Sequence, residues 1–245
     1  MKAIGIIPAR WASTRFEGKV LADLCGKPVI QHVWERAKKA KTLDDLIIAA
    51  DNEKTIKAVK EFGGKVVFTS SDQPSGTDRL AEAVNPLDVD IVVNIQGDEP
   101  LIRPITIDNL VMALESEKQA QMATVIKKID DAREIANPNV VKVVIDKNEY
   151  AIYFSRSVIP YERADGLGDG TRPVYYKHIG LYAYTKDFLF TFRKLPHSAL
   201  EKAEKLEQLR VLEYGYKIKT VETKFDTVGI DTIEDLEKVR EMLKK

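Results

Sequence analysis

The sequence predicts an α/β protein with a mostly parallel sheet, helices on both of its faces, and a smaller mixed lobe inserted late. Three observations predict it. Short apolar runs alternate with amphipathic helical stretches through the first half. The run Ile91-Val92-Val93-Asn94-Ile95 has the pattern of a strand covered on both faces. Strand and helix also follow one another repeatedly, which implies right-handed crossovers between parallel strands.

Taken in order, the apolar run 3–7 is a strand ended by Pro8. Val29, Ile30, Val33, Trp34 and Ala37 recur at helical spacing after Pro28. A strand at 46–50 follows. Asp51 or Asn52 caps the helix carrying Ile56, Val59 and Phe62, and Gly63-Gly64 ends it. Residues 66–68 read as a strand, Leu80, Ala83 and Val84 as a short helix, 91–95 as a strand, 105–116 as a helix and 122–126 as a strand. The second half is less regular. Strands are expected at 140–145, 151–154, 175–184 and 218–221, and helices at 187–193, 206–214 and 232–243. The polar stretch 161–172 contains Gly166, Gly168 and Gly170 and reads as a mobile loop of the kind that covers sites. One domain over 1–245 is expected, with the smaller lobe at approximately 129–225.

Composition narrows the function. The 245 residues carry 38 Lys+Arg and 38 Asp+Glu, a net charge of +0, which offers no bulk attraction to nucleic acid or to an anionic membrane. The one cysteine, Cys25, excludes an intramolecular disulfide and a Cys-rich zinc site. No apolar run approaches the ~20 residues that span a bilayer, and the apolar start is too short for a signal peptide. A cytoplasmic globular protein is therefore expected.

In sheets of this kind ligands sit beyond the carboxyl ends of the strands. After the first strand come Arg10, Ser13, Arg15, Gly18 and Lys19. Their backbone N–H groups, guanidinium forks and ammonium suit phosphate oxygens, although a solvated basic loop has the same composition. The segment matches neither the P-loop nor the dinucleotide fingerprint. After the buried strand comes Gln96-Gly97-Asp98-Glu99-Pro100. A turn accounts for it alone, but beside a phosphate loop Asp98 suits Mg²⁺, which takes oxygen ligands and shares them with phosphates. Asp231 and Glu234 have capping-box spacing, and Asp231 is alternatively a second metal carboxylate. Ser75 and Asp78 have the same spacing, with Arg79 beside them, and serve either a cap or a nucleotide. His178 reads as a packed strand residue, Arg156 as a surface ion pair or an acid-binding group, and Cys25 as incidental.

The ordered set Ile-Pro-Ala-Arg-Trp-Ala-Ser-Thr-Arg-Phe-Glu-Gly-Lys, Ser-Gly-Thr-Asp-Arg, Asn-Ile-Gln-Gly-Asp-Glu-Pro, Tyr-Phe-Ser-Arg, Lys-His-Ile-Gly-Leu-Tyr-Ala-Tyr, Leu-Glu-Gln-Leu-Arg and Gly-Ile-Asp-Thr-Ile-Glu-Asp runs from Ile4 to about Arg240. It closely resembles the 3-deoxy-manno-octulosonate cytidylyltransferases, or CMP-Kdo synthetases. The resemblance implies a Rossmann-like nucleotidyltransferase fold, a homodimer, Mg²⁺, and transfer of CMP from CTP to Kdo for lipopolysaccharide assembly. By motif match it implies that Arg10, Ser13, Arg15 and Lys19 hold the CTP phosphates, and Ser75 and Arg79 the cytidine. Asp98 and Asp231 would hold Mg²⁺ and, with Lys19, form the catalytic set. Gln96, Arg156, His178, Tyr182, Glu207 and Gln208 would form the sugar pocket. Phe16-Glu17 stands where the family has Leu-Pro, Val20 where it has Pro, and Tyr161-Glu162 where it has Trp-Asp. The first two departures bear on loop rigidity, since proline restricts the backbone.

Overall fold

A computed structural model describes residues 1–12, 16–73, 75–163 and 173–244. Its first strand, β1 (Ala3–Ala9), shows why the sheet forms. It is buried along almost its whole length. Successive side chains leave a strand on opposite faces, so Ala3, Ile7 and Ala9 enter one core and Ile4 and Ile6 the other.

The chain continues through a 3-10 turn (Lys19–Leu21) and a small hairpin of β2 (Asp23–Leu24) and β3 (Lys27–Pro28). Then come α1 (Val29–Ala37), β4 (Asp45–Ala50), α2 (Glu53–Glu61), β5 (Lys65–Phe68), α3 (Gly76–Val84), β6 (Ile91–Asn94), α4 (Pro104–Ser116) and β7 (Met122–Lys128). The later part holds α5 (Ala132–Ala136), β8 (Lys142–Ile145), β9 (Ala151–Ser155), β10 (Tyr176–Thr185), α6 (Lys186–Lys194), α7 (Ala199–Glu204), α8 (Gln208–Glu213), β11 (Ile218–Glu222) and α9 (Ile233–Leu243). The predicted elements are present within a few residues. The sequence reading missed the hairpin strands, α5 and α7, all six residues or shorter and too brief to show a period.

Among the described residues, nine strands form one sheet in the order β11-β7-β10-β6-β1-β4-β5, with β8 and β9 continuing from β10. β10 lies antiparallel between β6 and β7, and the other strands on that path run parallel to one another. From β1 the chain steps outward to β4 and β5, then returns to β6 on the other side. The strand order therefore reverses between β1 and β6, where a crevice opens at the carboxyl ends.

Helices α1, α2 and α4 cover one face through Ile30, Val33, Val59, Leu110 and Val111. Helices α3, α6 and α8 cover the other through Leu80, Val84, Phe188, Phe192 and Leu209. Each such side chain contributes roughly 1.5–3 kcal/mol by leaving water. A third, small cluster packs Leu236 and Val239 of α9 on Leu24, Val29 and Ile230, tying the C-terminal helix to the hairpin. That hairpin turns through Cys25 and Gly26, both at positive φ (55° and 85°), as a two-residue turn of matching twist requires. Cys25 is exposed.

Of the two expected candidates for the α2 cap the structure selects one, and the expected box of α9 is corrected. Asn52, not Asp51, caps α2 by accepting from the Lys54 N–H at 2.8 Å. The capping box of α9 is formed by Thr232 and Asp235, one residue beyond the expected Asp231 and Glu234. Each outcome leaves an aspartate just outside its helix, and each aspartate is used elsewhere. The expected loop at 161–172 lies outside the described residues except for 161–163.

Gly97 sits where β1 and β6 end together. A Cβ there would lie 2.6 Å from the Pro8 carbonyl oxygen, a main-chain atom that cannot step aside. Gly97→Ala is expected to cost about 1–3 kcal/mol. Thermal denaturation should show a drop of several degrees, at about 2–4 °C per kcal/mol for a chain of this size. Gly229→Ala, where a Cβ meets nothing within 4 Å, should leave the midpoint in place. Equal midpoints for the two variants would show that the close approach is not a constraint.

Candidate active site

The end of β1 releases the chain into the basic loop, whose described part includes Arg10, Ala12 and Lys19. Ser13 and Arg15 lie outside the described residues. Gly18, at φ 66°, turns the chain into the 3-10 turn that begins with Lys19. The Lys19 ammonium donates to the Asp98 carboxylate and to Asp231 Oδ1, the latter at 2.9 Å. Asp98 follows β6 through the Gly97 turn. Asp231 is brought alongside by a main-chain bond from the Ile230 N–H to the Asp98 carbonyl, 2.9 Å. Segments 79 and 212 residues from Lys19 thus meet on one charge. Burial opposes the charge on Lys19, but Asp98 and Asp231 override it and hold the ammonium above its usual range. Neighbouring Glu99 is pushed up to about 8, first by burial and then by the Asp98 charge, so its carboxyl is neutral at pH 7.

A second junction lies behind the loop. Arg79, fully buried on α3, donates from Nη2 to Asp51 Oδ2 at 2.9 Å and from Nη1 to Thr69 Oγ1 at 2.5 Å. Burial pushes the guanidinium down, and Asp51 opposes that shift. The other Asp51 oxygen accepts the Trp11 N–H at 2.9 Å. This is the aspartate that the cap shift set aside, and it links the loop after β1 to the ends of β4 and β5. Sequence reasoning treated it only as a cap, although its place directly after a strand was a usable signal. Ser75 caps α3, accepting from the Asp78 N–H at 3.1 Å and donating to the Asp78 carboxylate at 2.8 Å.

A crevice of about 530 Å³ opens at the reversal between β1 and β6. Arg10, Lys19, Gly97 and Asp98 are among its lining residues. Thr77, Asn94, Gln96, Tyr182, Tyr184 and Glu207 line it as well. Thr77 and Asn94 carried no sequence-based assignment, although both lie inside quoted motifs. Glu207 precedes α8. Its Oε2 accepts from Thr77 Oγ1 at 3.0 Å and its Oε1 from Arg210 Nη2 at 2.9 Å. Burial raises its carboxyl, with Thr77 and Arg210 opposing. The Gln96 side chain donates to the Gly180 carbonyl at 3.0 Å. Burial also raises the Tyr182 and Tyr184 hydroxyls, which stay neutral.

The other expected sugar residues lie off this crevice. Arg156 donates from Nε to the Glu204 carbonyl at 2.8 Å and from Nη1 to the Pro138 carbonyl at 3.1 Å. Gln208, the first residue of α8, is buried, and its Nε2 has no partner among the described residues. His178 meets Thr124 Oγ1 at 3.0 Å and packs against the Phe154 and Tyr182 rings. Burial pushes its imidazole down to about 3.

Two carboxylates converging on one cation beside a basic loop, at the strand-order reversal of an α/β sheet, suit nucleotidyl transfer, and the family match makes the chain a nucleotidyltransferase. Residues 4–219 match the cytidylyltransferase family. The 3-deoxy-manno-octulosonate cytidylyltransferase of Geotalea uraniireducens (strain Rf4) is 51% identical, covering 100% of each chain. That of Thermodesulfovibrio yellowstonii (strain ATCC 51303 / DSM 11347 / YP87) is 50% identical over 97% of this chain and 96% of its own. A solved CMP:2-keto-3-deoxy-manno-octonic acid synthetase complexed with CTP superposes with a TM-score of 0.93 at 43% identity, covering 100% of this chain and 99% of that one. This chain belongs to the 3-deoxy-manno-octulosonate cytidylyltransferase family.

Two measurements check the site's electrostatics. Asp51→Ala leaves the buried Arg79 charge uncompensated and should destabilise the fold by about 3 kcal/mol in urea unfolding. A loss under 1 kcal/mol would contradict the junction. The His178 imidazole has a lower pKa folded than the usual 6.5, so the unfolded chain takes up its proton first. Its contribution is present above about pH 6.5 and is lost as pH falls toward about 3. Stability measured at pH 7, 6 and 5 should therefore fall more steeply in the wild type than in His178→Gln, by at most about 1.4 kcal/mol per pH unit. Parallel profiles would contradict the assignment.

Proposed function

We propose that this chain transfers CMP from CTP to the anomeric hydroxyl of 3-deoxy-D-manno-octulosonate (Kdo), releasing pyrophosphate and activating Kdo for lipopolysaccharide biosynthesis. The single observation that carries the reading is the shared contact of Asp98 and Asp231 with Lys19 beside the crevice. Relatives about half identical over nearly the full chain, and the CTP-bound neighbour, support it.

In this reading the hydroxyl oxygen attacks the α-phosphorus in line. The new P–O bond forms as the bond to the β-phosphate bridging oxygen breaks, and pyrophosphate leaves. Such transfers depend on positioning and charge stabilisation. Arg10 and Lys19, with Ser13 and Arg15, bind the phosphates and offset charge building on pyrophosphate. Ser75 serves the cytidine end, and Arg79 serves it from behind, by holding the loop through Asp51. Gln96, Tyr182 and Glu207 face the sugar. Arg156, His178 and Gln208, off the crevice in this structure, belong to the sugar region on the family resemblance, which makes Arg156 the partner of the Kdo carboxylate.

Mg²⁺ is the proposed cofactor, and the donor set suits it: hard carboxylate oxygens from Asp98 and Asp231 that already converge on one cation. Held by these two residues, the ion would lower the pKa of the attacking hydroxyl and neutralise phosphate charge. We place the sugar-binding and dimerisation lobe at approximately 129–225, and the working form as a cytoplasmic homodimer. CTP and Kdo are its partners, with no nucleic acid and no membrane. Among the described residues no helix is long and apolar enough to cross a membrane.

Asp98→Asn should abolish pyrophosphate release from CTP and Kdo while leaving the circular dichroism spectrum and thermal midpoint close to wild type. Near-native turnover at saturating Mg²⁺ would remove Asp98 from the chemistry. Assays of each nucleoside triphosphate, with and without Kdo, test the substrate pair.

A further inference from the structure

Asn94 ends β6 and faces the crevice, yet its amide is only partly used. The residue is 6% exposed, and its Oδ1 has no hydrogen-bond partner among the described residues. The amide does contact the Tyr184 hydroxyl, which also contacts Thr77. Rotating the amide would exchange which atom is left over without supplying a second partner. A buried polar atom with no partner costs about 1–3 kcal/mol, so its retention calls for a reason.

Its surroundings state the chemistry that would satisfy it. Asn94 is directly opposite Tyr182 in the antiparallel β6-β10 pair, so the two side chains share one face. Tyr184 is two residues on and shares it too. Thr77 and Glu207 close the group, joined by their own 3.0 Å bond. Around Asn94 these neighbours offer hydroxyls and a carboxyl, and the Glu207 carboxylate already has its cation in Arg210. A hydroxyl fits, because it donates to an amide oxygen and accepts from a neighbour at the same time.

We infer that Asn94 is a binding residue for the acceptor sugar, its side-chain oxygen accepting a hydrogen bond from one of the sugar's hydroxyl groups. The inference rests on the proposed function and adds to it a contact that gives selectivity for a polyol. A site built to hydrogen-bond a hydroxyl discriminates strongly against an analogue lacking it, because the site's own polar group is then stranded. The amide also contacts Tyr184, so the same residue sets the position of the aromatic wall.

The test is steady-state kinetics of wild type and Asn94→Ala with CTP, Kdo and Mg²⁺, together with thermal unfolding of both proteins without substrates. The Kdo KM should rise about tenfold, the equivalent of one hydrogen bond to a buried group, while the CTP KM stays within twofold of wild type. The thermal midpoint of the free protein should hold or rise, because the stranded acceptor is removed. A raised CTP KM with an unmoved Kdo KM would overturn the inference and place the amide against the nucleotide. A lowered midpoint with both KM values near wild type would also overturn it, making Asn94 a purely structural partner of Tyr184. If the wild type itself releases no pyrophosphate with CTP and Kdo, the proposed function fails first and takes this inference with it.

Discussion

One lysine holds the site together. Lys19 bridges carboxylates from the turn after β6 and from the approach to α9, the last helix of the chain. The backbone arranges this contact: Gly18 turns the loop at positive φ, Gly97 lets the β6 turn lie against Pro8, and the Ile230 N–H docks the C-terminal segment on Asp98. Without a cation between them, Asp98 and Asp231 would repel. The small cluster of Leu24, Val29, Ile230, Leu236 and Val239 adjoins the contact through Ile230, so packing of α9 supports it.

The buried Arg79–Asp51 pair does for the loop after β1 what Lys19 does for the acidic groups. An isolated buried guanidinium is costly, and here the cost is offset by a carboxylate and a hydroxyl. Asp51 spends its second oxygen on the Trp11 N–H, so the basic loop is anchored to the core and not merely laid upon it. The crevice that this loop borders is also lined by Tyr182 and Tyr184 of β10 and by Glu207 before α8.

The fold was legible in the sequence because its evidence is periodic. Ile4, Ile6, Ile91, Val92 and Val93 announce strands covered on both sides, and Ile107, Leu110, Val111 and Leu114 announce a helix. The site was half legible. Lys19, Asp98 and Asp231 stand in motifs at strand and helix ends, but what brings them within reach of one another is a main-chain bond between Ile230 and Asp98, which carries no sequence signature. The α9 cap was misread by one residue because Asp231-Thr232 and Glu234-Asp235 offer two boxes of equal spacing, and only tertiary contact with Lys19 selects between them. Thr77 and Asn94 escaped notice for a related reason: a threonine near a helix start and an asparagine at a strand end suit caps and turns, and only the fold shows that they face one space.

The reversed direction of β10 shapes how such a protein can diversify. In a purely parallel sheet the chain enters each strand at the edge remote from the ligand. β10 enters from the near edge, since Tyr176 and Lys177 pair with the ends of β7 and with β8, whereas Thr185 pairs with Ile91 at the start of β6. The β9–β10 connection therefore begins and ends on the crevice side. A change in the length of that connection would leave the hydrogen-bond ladder of the sheet intact, because both strands it joins are already paired at their ends.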